Sequence, residues 1–338
     1  MYLGSAELTI IIAGQDVTSR FDPHLLDVKI TRASGEAADT CDLKLSDQNG
    51  DIVLPGERAP VVAIVNGDLG FTGFVSDVTH SGSKGSGSTL ELSCSSIDQG
   101  SGVKEPKSKH KDDSSLSDFG SDLAKAAGIS LTVAGSISSI TRPYWLAMNE
   151  SFMSWGQRVA KEIGASFKII GDQAYLVGLN EGISASGKPL TPISAIRGIN
   201  LISWSISPII SRPKFKEVEV SYFDVKKGER VSQKVPTGNS DVDASLRTVI
   251  GAANEDQAKN KAEGASKSSD REKGAGSITI IGDILAEPEA ICNVSGVRPG
   301  IDGGYRISSV THSLSKSSGF TTEVSLREPQ GGAGVDSR

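Results

Sequence analysis

Residues 78–93 read VTHSGSKGSGSTLELS and residues 310–325 read VTHSLSKSSGFTTEVS, an ungapped match in which eleven of sixteen positions are identical. Unrelated segments of this length share about one identity by chance, and self-similarity of this kind is the usual sign of a duplicated unit. The alternative is that two hairpins rich in Ser, Thr and Gly match through composition alone. We interpret the repeat as evidence for two β-domains of the same topology in one chain.

Each copy predicts a strand, a turn and a second strand, with Ser, Lys and Gly supplying the chain reversal. Along the second strand, apolar residues alternate with polar ones, so the two kinds of side chain fall on opposite faces. One face is predicted to be core and the other to meet water or a polar neighbour. The candidate residues of this polar face are Thr89, Glu91, Ser93, Thr321, Glu323 and Ser325.

The remaining hydrophobic pattern divides the chain into units. Short alternating runs broken by turn residues predict antiparallel β-domains at both ends, and helical spacing in the middle predicts an α+β module. The predicted units are a first tube-like β-domain at 1–100, a linker at 101–112, the α+β middle module at 113–198, a second tube-like β-domain at 199–328 with a surface helix near 254–273, and a flexible tail at 329–338.

Two amphipathic helices define the middle module. The first places Leu116, Phe119 and Leu123 on one side and is preceded by cap candidates at residues 112–114. The second carries an apolar stripe from Phe152 to Ile163. The predicted fold class is therefore mainly β, with two tube-like antiparallel β-barrel domains flanking a small α+β module.

Composition excludes several classes of function. The chain of 338 residues has 35 Lys and Arg against 41 Asp and Glu, a net charge of -6. A protein with this charge lacks the basic surface that non-specific binding to nucleic acid or anionic membranes requires. The early apolar run, residues 8–13, is too short for a membrane span or signal peptide, so we expect a soluble protein made in a cytoplasm.

The sequence offers no catalytic, cofactor or metal site. Residues 182–188 match the spacing of a phosphate-binding loop, but Pro189 stands where the Ser or Thr that contacts magnesium is required. The four histidines and three cysteines show no metal-ligand spacing. We expect no catalytic residue, no cofactor and no metal ion, and therefore no enzyme.

Three stretches resemble a known family. They are the middle-module run Asn149–Ala165 with the strand pair that ends in Ala174-Tyr175-Leu176, the alanine-bearing polar helix Glu255–Lys273, and the run from Gly303 through Val310-Thr311-His312 to Thr322. With the capped first helix, these stretches follow the order found in the phage late control protein D or baseplate hub family of contractile tails. The likeness covers nearly the whole chain and extends to the N-terminal hub part of type VI secretion spike proteins.

The resemblance implies a homotrimer whose six tube-like β-domains form a pseudo-hexameric ring, joining a six-fold tail tube to a three-fold spike. The middle module would lie outside the ring and contact other baseplate proteins. The partners would be a tail tube protein and a spike protein, with DNA or a tape measure only as passing cargo and no membrane insertion. The place of action would be the virion tail baseplate, assembled in the host cytoplasm.

Two hypotheses accompany this resemblance. The repeated Glu91 and Glu323 on polar strand faces are candidates to line the channel and repel phosphates, so that DNA slides without sticking. The alternative function is a cell-wall glycan-binding or hydrolytic tail protein, because tail hubs are sometimes fused to cell-wall hydrolases. A type VI spike protein is disfavoured, since no β-helix follows the hub-like region.

Overall fold

The computed structural model describes residues 2–3, 6–85, 87–184, 187–209, 215–224, 226–237, 242–248, 251–271, 274–336 and 338. Strands account for 52% of the described residues and helices for 16%, which confirms the mainly β fold class.

The first β-domain consists of antiparallel strands with alternating burial. Val28 and Ile30 point into its core, while Lys29 between them is exposed. Its elements are β1 Tyr2–Leu3, β2 Ala6–Ile12, β3 Gln15–Asp16, α1 Thr18–Phe21, β4 Leu25–Ala33, β5 Thr40–Ser46, β6 Pro60–Val65, β7 Asp68–Ser83 and β8 Gly87–Ser95.

The middle module packs two helices on short strands around Phe119, Trp145 and Trp155. Its main helices begin at serine caps, where Ser115 Oγ accepts from Asp118 N and Ser151 Oγ accepts from Ser154 N. The elements are a 3₁₀ turn Gly102–Lys104, β9 Lys107–Ser115, α2 Leu116–Ala126, β10 Ser130–Val133, α3 Gly135–Ser138, β11 Thr141–Glu150, α4 Phe152–Ile163, β12 Ala165–Ile170 and β13 Gln173–Gly178.

The linker predicted at 101–112 is wrong for most of its length, because residues from Lys107 onward form β9 and pair with β11. Lys109 and Lys111 lie opposite Ala147 and Trp145, on the face that covers α2. Their long side chains extend along that helix, and Lys111 Nζ lies 2.7 Å from Asp122 Oδ2. The apolar stems of these lysines occupy the positions where a strand pattern requires apolar residues. The alternation that predicts a strand is therefore absent from the sequence, which instead has the composition of a solvated run of charges.

The last part of the chain contains the second β-domain and an inserted lobe. The lobe is a three-stranded sheet covered by a helix, with Ala258 and Ala262 buried against Val218 and Val220. In chain order the elements are β14 Ile193–Ile196, β15 Leu201–Ser207, β16 Glu217–Asp224, β17 Glu229–Pro236, β18 Ser245–Arg247, α5 Glu255–Arg271, β19 Ala275–Ile281, β20 Ile291–Ser295, β21 Gly303–Ser315 and β22 Gly319–Gln330. The helix predicted near 254–273 corresponds to α5, and residues 272–273 lie outside the described residues.

Two boundaries differ from the predicted ones. Residues 193–196, assigned to the middle module, form β14 and pair with β20 of the second β-domain. The tail predicted to be flexible from residue 329 continues β22, and Gly334 N donates to Gly300 O. Backbone hydrogen bonds hold this glycine-rich segment, and composition gives no sign of such bonds.

The two β-domains have the same strand order. The first is arranged β2-β6-β7-β8-β5-β4, and the second β14-β20-β21-β22-β19-β15. When the strands of each β-domain are ranked by their order along the chain, strands of equal rank occupy the same position in the sheet. The one difference in direction is that β2 is antiparallel to β6, whereas β14 is parallel to β20.

A single sheet of fourteen strands joins the two β-domains, because β4 at the edge of the first pairs with β21 of the second. The middle module is fixed beside one end of this sheet. Lys168 Nζ lies 2.6 Å from Asp39 Oδ1, and Ser96 Oγ donates to Ile169 O at 2.7 Å. Asp39 precedes β5 and Ser96 follows β8, so both contacts lie at the same end of these strands.

Candidate assembly surface

The repeated sequences form hairpins of identical register. In the first, Val78 lies opposite Leu92, and in the second, Val310 lies opposite Val324. The match found in the sequence therefore corresponds to a match of strand pairing, position by position.

All six predicted polar-face residues lie on one face of the continuous sheet. Ser93 is opposite Asp42, Asp42 is opposite Lys29, Lys29 is opposite Ser313, and Ser313 is opposite Thr321. Directly opposed residues share a face, as do residues two apart along a strand. Glu91 and Glu323 are exposed, whereas Thr89, Ser93, Thr321 and Ser325 are half-buried. That this face lines a channel stays a prediction.

The charges on this face are partly balanced. Glu91 lies directly opposite Lys44, and Asp42 lies opposite Lys29. Glu323 instead lies between Thr311 and Thr279. The two glutamates are therefore not equivalent, and Glu323 is the one whose negative charge has no basic residue directly across the strand. Any repulsion of phosphate would depend on Glu323 more than on Glu91.

The junction between the β-domains is a seven-residue antiparallel pairing of Asp27–Ala33 in β4 with Ser309–Ser315 in β21. On the core face, fully buried Val28 lies opposite fully buried Leu314. On the polar face, the hydroxyls of Thr31 and Thr311 lie 3.5 Å apart. The junction thus combines a backbone ladder with an apolar side and a polar side.

His312 is buried at this junction, opposite Ile30. Its Nδ1 is 3.0 Å from Thr322 Oγ1, and Phe320 packs beside its ring. Burial, with a smaller contribution from the nearby Arg32 cation, lowers the pKa of His312 to about 3. The imidazole is therefore neutral at physiological pH. The equivalent His80 of the first hairpin is half exposed, with Asp47 Oδ2 at 3.7 Å.

Among the described residues, the run of strands β7-β8-β5-β4-β21-β22-β19-β15 has an unpaired edge at each of its two ends. β15 ends the sheet, and from Ser203 onward it pairs on one side only, with β19. The distal half of β7, residues 77–83, pairs only with β8. On β15, Ile202 is 54% exposed and Trp204 is 38% exposed. Native proteins usually cover such apolar edges, because an open edge invites pairing with another chain.

A second repeat, which sequence reasoning missed, follows β5 and β19. Residues 50–54 read GDIVL and residues 282–286 read GDILA, and they lie in the connections from β5 to β6 and from β19 to β20. Both expose apolar side chains, with Val53 at 88% and Leu285 at 59%. The signal was the shared Gly-Asp-Ile, which is too short to stand out before the strands are aligned.

The repeated features share one end of the sheet, which we call the hairpin end. Four antiparallel pairings separate β5 from β19, so these strands run in the same direction and end together. Strands β7 and β21 run the same way, so both repeated hairpin turns are also at this end. The middle module lies at the opposite end.

The described residues contain no group of three His, Cys, Asp or Glu side chains able to hold a metal ion. The phosphate-loop match includes Ala185 and Ser186, which lie outside the described residues. A cavity of about 530 Å³ lies between the first β-domain, the middle module and the connection 282–290. Its charged lining residues have ion-pair partners: Lys168 pairs with Asp39, Arg32 with Glu287, and Glu289 with Arg271. No helix in the described part of the chain is long and apolar enough to cross a membrane.

Comparison with known proteins finds a relative among phage proteins. The chain is 25% identical over 366 aligned residues to the probable baseplate hub protein of Escherichia phage 186, covering 94% of this chain and 91% of that protein. No family model matches the sequence.

Solved structures show the same fold. A tail protein from Neisseria meningitidis superimposes with a TM-score of 0.71 at 17% identity, covering 96% of both chains. A component of the type VI secretion system of E. coli superimposes with a TM-score of 0.56 at 10% identity, covering 93% of this chain and 76% of that one. The chain is therefore similar over nearly its whole length to a phage baseplate hub protein and has the fold of phage tail proteins, which confirms the resemblance to the baseplate hub family.

Proposed function

We propose that the chain is the structural hub of a contractile-tail baseplate and that three copies form a ring around a central channel. The observation that carries this proposal is the duplication. Two β-domains of equal strand order, joined edge to edge in one sheet, give each chain two similar blocks. A closed ring of three chains then presents six similar blocks, as an adaptor between six-fold and three-fold partners requires.

The wall of the ring would be built from eight strands per chain, in the order β7-β8-β5-β4-β21-β22-β19-β15. Their shared polar face, which includes Glu91 and Glu323, would line the channel. The opposite face packs against the apolar cores of the two β-domains, so apolar side chains would not be exposed to passing cargo. Exposed carboxylates and small hydroxyl side chains would offer DNA or a tape measure little to bind.

The two ends of the sheet suit different partners. The hairpin end repeats its turns and Gly-Asp-Ile connections in both β-domains, so three chains would present six similar contact points to a tail tube. The opposite end carries one middle module per chain, which gives three-fold features suited to a trimeric spike and to other baseplate proteins. The virion tail is the place of action, and assembly would occur in the host cytoplasm.

A role as a structural protein without enzymatic activity is favoured over the glycan-binding or hydrolytic alternative. A relative that matches nearly the whole chain is named as a probable hub, and the charged residues that line the inter-domain cavity all have ion-pair partners. A zymogram on bacterial cell walls should show no clearing, and a clear band at the mass of the chain would contradict this assignment.

The trimer is tested by measuring particle mass in solution with and without the candidate spike protein, followed by imaging of the complex. We expect particles of three chains with a central opening and pseudo-six-fold features at one end. Particles that stay monomeric under both conditions, or that lack a three-fold axis, would refute the ring.

A further inference from the structure

We propose that each seam between neighbouring chains is an antiparallel pairing of β15 from one chain with the distal half of β7 from the next, in a register fixed by the β4·β21 junction. This inference rests on the proposed trimer and names the surface that closes it.

The repeat fixes one side of the seam. Because residues 78–93 match residues 310–325 in sequence and in register, the distal half of β7, residues 77–83, is equivalent to residues 309–315 of β21. In β21 these residues pair with β4 of the same chain. In β7 the equivalent edge has no second strand within the described residues.

The other side of the seam is β15, and its equivalence to β4 is established through the neighbouring strands β5 and β19. Leu43 lies opposite both Leu92 and Val28, and Ile278 lies opposite both Val324 and Trp204. Since Leu92 and Val324 are equivalent in the repeat, Trp204 of β15 occupies the position that Val28 occupies in β4. The edge of β15 is therefore the counterpart of the edge that β4 offers to β21.

Transfer of the junction register gives explicit pairs. Val28 lies opposite Leu314, whose equivalent in the first hairpin is Gly82, so Trp204 should lie opposite Gly82 of the next chain. In the same way, Ile206 should lie opposite His80, since Ile30 lies opposite His312. On the polar face, Ser205 should lie opposite Ser81.

The chemistry of these pairs is complementary. Gly82 has no side chain, so the large indole of Trp204 can cover the strand at a position where a bulkier residue would collide with it. The seam would cover Trp204 and His80, which are partly exposed in the single chain. On the other face, Ser205 and Ser81 continue the row of small polar residues. The seam would thus keep the apolar and polar faces of the sheet continuous between chains.

A second copy of the chain is the occupant that fits these edges. The two edges lie on different β-domains, and each chain has one of each, so the contact is head to tail. A head-to-tail contact closes into a ring when its rotation matches the symmetry. Here the contact would repeat the rotation of the intramolecular junction, so that six similar steps complete one turn.

Cysteine cross-linking tests the register. Ser34 N donates to Ser308 O, which makes that pair hydrogen-bonded, so the pair Lys29–Ser313, five positions along, is non-hydrogen-bonded. The equivalent pair Ser81–Ser205 would then bring its side chains close enough for a disulfide. The native cysteines are buried and can remain.

We expect the double variant Ser81→Cys with Ser205→Cys to give covalent trimers on mild oxidation. Ser83→Cys with Ser205→Cys, one step out of register on the same face, should give about tenfold less product, because diagonal residues are too far apart. Trimers that form without preferring the in-register pair would overturn the seam and leave the hub assignment standing. A chain that folds but never trimerises, even with the spike protein, would overturn both.

Discussion

At the scale of single residues, the repeated histidines show how one sequence position acquires two environments. His312 and His80 hold the same place in equal hairpins, but only His312 has a strand from another domain against it. Sequence could predict that both are structural. It could not predict that one is buried and the other exposed, because burial depends on the contact of β4 with β21, nearly 300 residues apart along the chain.

Burial of His312 makes the stability of the fold depend on pH. Its pKa is lowered to about 3 in the folded chain, against 6.5 for an unperturbed imidazole. The unfolded state therefore binds the extra proton between these values. The stabilising contribution is fully present above pH 6.5 and is lost as the pH falls towards 3.

We expect the free energy of unfolding attributable to this group to fall by about 2 to 3 kcal/mol between pH 7 and pH 4.5, from the linkage of about 1.4 kcal/mol per pH unit. The variant His312→Leu should lose that part of the pH dependence, measured by urea denaturation at both pH values. His110→Gln, at an exposed position, is the control and should behave like the unmodified chain. Equal pH dependence in all three proteins would show that His312 is not the responsible group.

At the scale of elements, local patterns identified the hairpins and helices, and long-range pairing decided the rest. The repeated hairpins alternate polar and apolar residues at a period of two, so the sequence indicated them directly. The sequence did not predict strand β9, because its inner positions are lysines that lie along α2. The sequence also did not predict the pairing of β4 with β21, since nothing in either strand's own pattern indicates which strand it will pair with.

Trp204 provides a test of β15 as an assembly element. The residue is 38% exposed and lies in the part of β15 that pairs on one side only among the described residues. We expect Trp204→Asp to weaken trimer formation by about tenfold or more, because the apolar cover that the indole gives to Gly82 would be lost and a carboxylate would have to be desolvated in the seam. The stability of the single chain should change little, since the side chain is not in a core cluster.

The matched control is Phe223→Asp, which replaces another exposed aromatic residue, on the inserted lobe. It should leave trimer formation unchanged. Particle mass measured across a dilution series compares the two variants, and similar behaviour of both would argue against a role for β15 in the seam.

At the scale of the whole molecule, the two ends of the sheet should be separable by mutation. Val53 and Leu285 are exposed at the hairpin end, in connections that both begin with Gly-Asp-Ile. We expect the double variant Val53→Asp with Leu285→Asp to lose binding to the tail tube protein in co-sedimentation, because apolar contacts would be replaced by charges. Trimer formation and spike binding should be retained.

Met148→Asp serves as the control at the opposite end, because Met148 is exposed on the middle module. It should leave tube binding unchanged. Loss of tube binding in this variant but not in the double variant would mean that the orientation proposed for the two ends is reversed.

The edge-to-edge union of the two β-domains within one polypeptide has a consequence for the order of assembly. In the proposed collar of three chains, half of the six joints would already be made when each chain folds, so association would have to form only three. Two chains in solution gain one joint, whereas the arrival of the third adds two more at once. Adding the third chain is therefore more favourable than joining the first two, and pairs of chains should be scarce at any concentration that supports complete collars.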